Sequence, residues 1–221
     1  MATHSIDREN QPNPKASIDL YWLPLGAGGH FVRLNGHIYE AIIARREHRL
    51  PLALYHSALE IRLRGERTSI ETAWPIPDDN ASLRGVVVEG PVFSHAAGRF
   101  RAFRYEVRCW RDGIIPDLRW AVGGPQRVSS DEAKARRVLE LVASVPALVW
   151  GRDEMGAGDM WNSNSIVAWL LERAGLEAAS IRIPDGGRAP GWTAGIVIAA
   201  SPLHGKGPGS RRSEGSLLPV Q

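Results

Sequence analysis

The segment Met160-Trp-Asn-Ser-Asn-Ser-Ile-Val-Ala-Trp-Leu-Leu171 carries the residue types that acyl chemistry needs. Ser163 lies three and four residues before Ile166 and Val167. On a helix those positions share a face. Ser163 then opens a helix and points to its core side. A hydroxyl placed there meets the positive end of the helix dipole and unpaired backbone N–H groups, which favour a developing anion. Ser and Asn are also favoured as plain helix caps, so capping and catalysis are both open readings of this serine.

Seven histidines are present. His4 and His204 lie near the ends; the others are His30, His37, His48, His56 and His95. None has the spacing to Cys or to a second His that a zinc site requires, and no Gly-x-Ser-x-Gly or Walker loop occurs. The chemistry is therefore expected to need no metal and no cofactor. His30 or His37 with Glu40 forms one candidate pair. His56 sits in a strand pattern with Ala58, Glu60 and Arg62 on its more polar face, and Glu71 in the strand pattern that follows. Arg152, in Trp150-Gly-Arg-Asp-Glu154, and Trp192, after Gly187-Arg-Ala-Pro-Gly191, lie in loop patterns of the kind that bind ligands. With Trp161, Asn162 and Asn164 they are the candidate substrate-binding residues.

The elements that must hold these groups are legible as a strand-rich front half and a helical back half. Strands are expected over 18–25, 55–63, 68–74, 86–88 and 100–110, with a turn at Gly65. A hairpin is expected across Asn35-Gly36, between 31–34 and 37–43. One helix is expected from a capping box at Ser129-Ser-Asp-Glu132, with Ala135, Val138, Leu139 and Val142 as its apolar stripe and Pro146 as its stop. A second begins near Asn162, with a stripe of Ile166, Val167, Leu170, Leu171 and Ala174, and ends at Gly175. The continuous apolar run 194–200 reads as a strand covered on both faces. Gly26-Ala-Gly28 precedes a strand pattern rather than a helix, which argues against a dinucleotide fingerprint. The order predicts an α+β fold: an antiparallel sheet with helices packed on one side.

Size and composition fit one domain. The chain has 221 residues, 43% of them hydrophobic and 23% charged. A single domain is expected over 18–200, between a flexible leader, 1–17, and a flexible tail, 201–221, rich in Gly, Ser and Pro. The leader lacks the apolar run of a signal peptide, and no apolar stretch is long enough to span a membrane. The single cysteine, Cys109, rules out an internal disulfide and points to a reducing, cytoplasmic setting. It shares an extended face with Phe103, Tyr105 and Val107, so it reads as a small core residue. The net charge of +3 is mild, and the arginines are interleaved with acids, which excludes a nucleic-acid arm.

Three stretches together carry a resemblance: Tyr55-His56-Ser-Ala-Leu-Glu-Ile61, Thr68-Ser-Ile-Glu71-Thr-Ala-Trp-Pro75, and Asn162-Ser163-Asn-Ser-Ile-Val167. A strand with His, a next strand with an acid, and a late helix opening on Asn-Cys-Asn resembles the circularly permuted papain-like families. These include permuted NlpC-type proteins and relatives of lecithin–retinol acyltransferase. The resemblance implies His56 as general base, Glu71 as the group that orients it, and Ser163 where the family has its nucleophilic cysteine. It implies hydrolysis or acyl transfer at an amide, ester or thioester, on a small-molecule, lipid or peptide-like substrate. The serine is a departure. A hydroxyl depends on its base for activation far more than a thiol does, so a relative that binds without catalysis is the alternative.

Overall fold

The computed structural model describes residues 15–25, 44–46, 48–75, 85–115 and 117–201. The expected hairpin 31–43, the pair His30 or His37 with Glu40, and nearly all of the leader and tail lie outside the described residues.

Seven strands are described: β1 (Ala16–Pro24), β2 (Ala53–Leu63), β3 (Glu66–Ala73), β4 (Val86–Pro91), β5 (Arg104–Arg111), β6 (Gln126–Ser129) and the two-residue β7 (Gly187–Arg188). Their order is β4-β5-β3-β2-β1-β6. Every neighbour in that order is antiparallel, and β7 adds a short parallel pairing to the start of β2. The turn between β2 and β3 has Arg64 and Gly65 both at positive φ, 52° and 86°. That geometry matches the twist of a tight hairpin.

Three α-helices follow: α1 (Glu132–Leu141), α2 (Ser163–Arg173) and α3 (Trp192–Ala200). All three bury apolar side chains against one face of the sheet. Ala135, Val138, Ile166, Leu170, Ala194 and Ile198 meet Ile18, Leu20, Trp22, Leu59, Ile61 and Val107 in one cluster. Each large aliphatic chain taken out of water here contributes roughly 1.5–3 kcal/mol. The fold is α+β, as expected, with a mostly antiparallel sheet. Among the described residues no helix is long and apolar enough to cross a membrane.

The 194–200 run is a helix, and not the expected strand. A short apolar run has no periodicity to tell a buried strand from a buried helix. Here the small residues decide. A Cβ at Gly195 would lie 2.2 Å from the Ser165 carbonyl oxygen. Only glycine lets α3 approach α2 that closely. The cap of α1 also differs. Asp131 is the N-cap and accepts from Lys134 N, while Ser129 Oγ accepts from Asp131 N. β1 starts at Ala16, inside the stretch expected as leader. Of the expected helical stripes, Leu139 is half-buried and Leu141 takes its place in the core.

The opposite face of the sheet is built of charge. Asp19, Glu60, Glu71, Glu106 and Arg108 are all buried. Glu106 is 0% exposed, and Arg108 donates to it through Nε and Nη2 at 3.0 and 2.8 Å. Part of this face is covered by Ile115, Leu118 and Ala121, which pack on Tyr21, Leu23 and Ala58.

Candidate functional site

The β2–β3 ladder pairs from Leu63↔Glu66 to Leu59↔Ile70 and stops there. Beyond that point β2 runs on through His56 without β3, and β7 joins it only at Ala53 and Leu54. A gap is left in the plane of the sheet beside residues 55–58. Backbone groups facing such a gap need other partners. The first turn of α2 supplies one: Asn164 Nδ2 donates to Tyr55 O at 2.9 Å and to Pro190 O at 2.9 Å. The helix start is thereby tied to the residue preceding His56.

Asn162 is the N-cap of α2. Its side chain accepts from the backbone of Asn164 and Ser165, and Ser165 Oγ accepts from Asn162 N, a full capping box. Asn162 Nδ2 also donates to Pro190 O, and Asp159 accepts from Gly191 N. The cap role is thus held by Asn162 and Ser165, and Ser163 is the first helical residue. It is 7% exposed. Among the described residues, neither its hydroxyl nor its backbone N–H has a hydrogen-bond partner. A helix N-terminus with one free N–H beside a free hydroxyl can hold negative charge on a bound oxygen.

His56 and Glu71 share the charged face. His56 lies opposite Leu23, and Glu71 opposite Arg108. Glu71 lies just beyond the last β2–β3 pair, Leu59↔Ile70, on the same face of the sheet as His56. His56 is half-buried, and burial lowers its imidazole pKa, partly offset by the negative Asp117. The ring is therefore neutral at neutral pH and free to take a proton. Burial pushes Glu71 up to about 7; Arg108 opposes the rise and Asp117 adds to it. Glu71 Oε1 is buried without a hydrogen bond, with Arg108 Nη1 3.7 Å away. A buried imidazole with a lowered pKa and a carboxyl raised to about 7, both felt by Asp117, mark a site where protons can move.

The structure brings His56 and Glu71 to one face and joins the Ser163 turn to the same strand. No hydrogen bond links Ser163 to His56 or Glu71 among the described residues. The proposed binding residues separate. Asn162 and Asn164 hold the helix to the gap. Trp161 is 1% exposed and donates to Tyr105 Oη at 3.1 Å. Trp192 is buried, stacks 5.0 Å from Trp22 and donates to Ala178 O. Both tryptophans serve the core. Arg152 is exposed, and its guanidinium has no partner among the described residues. Asp117 is the residue that sequence reasoning missed. It sits in a covering loop whose return onto the sheet has no local signature.

Beside this site a groove of about 240 Å³ is lined by Glu60, Arg67, Ser69, Ile114, Ile115 and Leu118, among others. Ser69 is two residues from Glu71 on the same face of β3. The groove therefore opens onto the same charged face as His56. Among the described residues no cluster of His, Cys, Asp and Glu could hold a metal ion. No family model, curated protein or solved structure matches this chain.

Proposed function

We propose that this protein is an acyl hydrolase or acyltransferase that uses Ser163 as nucleophile, on a permuted papain-like arrangement of strand and helix. The observation that carries the reading is the state of Ser163. It opens α2 at a gap in the sheet, with hydroxyl and N–H unpartnered among the described residues, while Asn162 and Ser165 do the capping. A serine held there is not spent on the helix.

In the reaction, Ser163 Oγ attacks the acyl carbon as neutral His56 takes its proton. The carbonyl π electrons move onto oxygen, and the Ser163 N–H at the helix start stabilises that oxyanion. Collapse expels the leaving group, which takes the proton back from His56. Water or an acceptor alcohol or amine then repeats the sequence to free the enzyme. Glu71 orients the imidazole and, when ionised, stabilises its charged form. The His56–Ser163 hydrogen bond closes on substrate binding, since such contacts are often long in the free enzyme.

The test is hydrolysis of a panel of nitrophenyl esters and amides. Ser163→Ala and His56→Ala should each lower the rate about 100- to 10,000-fold. The double variant should be no worse than either, because such residues act as a unit. Strict additivity, or full activity in Ser163→Ala, would show that the serine is not the nucleophile. The second reading, a relative that binds without turnover, is favoured by one observation: no hydrogen bond joins Ser163 to His56. It predicts no acyl turnover by any variant.

A further inference from the structure

The loop between β4 and β5 carries three exposed phenylalanines in eleven residues. Phe93, Phe100 and Phe103 are 64%, 68% and 41% exposed. Phe93 and Phe103 meet edge to face with centroids 6.0 Å apart. Phe93 has φ of +67°. A bulky residue in the left-handed region is strained, and here the strain holds a ring out in solvent rather than in the core. A second loop lies alongside: His95 Nε2 and Glu154 Oε1 are 2.8 Å apart, and next to Glu154 Met155 is 56% exposed.

The charges around this knob are unequal in their availability. Glu154 is engaged by His95 and Val149 N, Asp153 accepts from Ala157 N and Gly158 N, and Glu89 is paired with Arg104. Arg99 and Arg152 are exposed and have no side-chain partner among the described residues. Free cations interleaved with protruding aromatic rings match a surface that is apolar below and anionic above.

We propose that the knob formed by Phe93, Phe100, Phe103 and Met155, flanked by Arg99 and Arg152, docks the protein on an anionic lipid bilayer surface. The rings enter the interface between headgroups and acyl chains, and the two guanidinium groups pair with lipid phosphates and carboxylates. The site is separate from Ser163 and holds whether or not that serine is catalytic.

The test is flotation of the full chain with vesicles of phosphatidylcholine alone and of phosphatidylcholine mixed with phosphatidylserine. The protein should float with the mixed vesicles and stay behind with the neutral ones. Phe93→Gly with Phe100→Ser should cut binding about tenfold or more. Arg99→Glu or Arg152→Glu should each cut it by about fivefold or more. Glycine suits the backbone at position 93, so Phe93→Gly alone should lower binding while leaving the melting temperature unchanged or raised. Binding that survives loss of both rings would overturn the proposal, as would the same binding to both vesicles. Absence of binding, or rings that prove to hold two copies of the chain together in sedimentation, would overturn it equally.

Discussion

The two faces of the sheet solve different problems with the same strands. Toward the helices, Ile18, Leu20, Trp22, Leu59 and Val107 meet α1, α2 and α3 in a dry cluster, where stability comes from filled volume. Toward the covering segment, the alternate residues Asp19, Glu60, Glu71, Glu106 and Arg108 are buried as well, yet charged. A buried ion pair adds little net stability against an apolar pair of the same volume, because desolvation offsets the attraction. The charged face therefore reads as a site held in place by the apolar one. The gap beside His56 is where the two meet, since α2 packs on the apolar face and its first turn reaches the plane of the strands.

Breaking each face should leave a different signature. On the charged face, Arg108→Ala removes two hydrogen bonds from Glu106, which is 0% exposed. We expect a loss of about 3–5 kcal/mol in urea melts, and substantial recovery when Glu106→Leu is added to Arg108→Met. If the double change recovers nothing, the pair is more than an isolated charge problem. On the apolar face, Leu170→Ala removes a fully buried side chain and should cost about 2–5 kcal/mol with no such rescue. A cost below about 0.5 kcal/mol would show that this position collapses freely.

The pH dependence separates the faces again. Glu71 titrates at about 7 in the folded protein against an ordinary value of 4.5. Between those values the unfolded chain has lost this proton and the folded chain keeps it. Its contribution to stability is therefore full below 4.5, falls as pH rises, and is gone once the pH passes about 7. Glu71→Gln removes that fall. The stability of the variant relative to wild type should grow from pH 4.5 to 7 and then level off, while Leu170→Ala should show a constant difference. A pH-independent gap for Glu71→Gln would place that carboxyl in water. The smallest effect expected is at the junction, where Asn162→Ala removes the α2 cap and should cost about 1 kcal/mol.

The apolar face was legible in the sequence because helical stripes and strand alternation are local patterns. Ile166, Val167, Leu170 and Leu171 announce their helix by spacing alone. The charged face was not. Alternation at Arg104, Glu106 and Arg108 reads as a solvated surface, and among the described residues the packing of Ile115, Leu118 and Ala121 over the sheet buries part of that face. That packing is a long-range event with no local code. The 194–200 helix escaped for a related reason: an element apolar all round has no period to read, and its state is set by how closely α2 allows it to approach. At the site, Ser163 as a helix start, and the strands of His56 and Glu71, were visible from the sequence. The termination of the β2–β3 ladder at Leu59↔Ile70, which opens the gap, was not.

The central claim is that the Ser163 turn and His56 form one reactive site, and Ser163→Cys tests it most directly. The protein supplies its own reference, since burial pushes the Cys109 thiol up to about 11 and keeps it slow to react. The rate of alkylation by iodoacetamide is measured at both cysteines across pH, with His56 present and with His56→Ala. The account predicts that the introduced thiol reacts much faster than Cys109 near neutral pH, and that His56→Ala removes most of the difference. An introduced thiol that reacts no faster than an ordinary exposed cysteine, at a rate indifferent to His56, would contradict it.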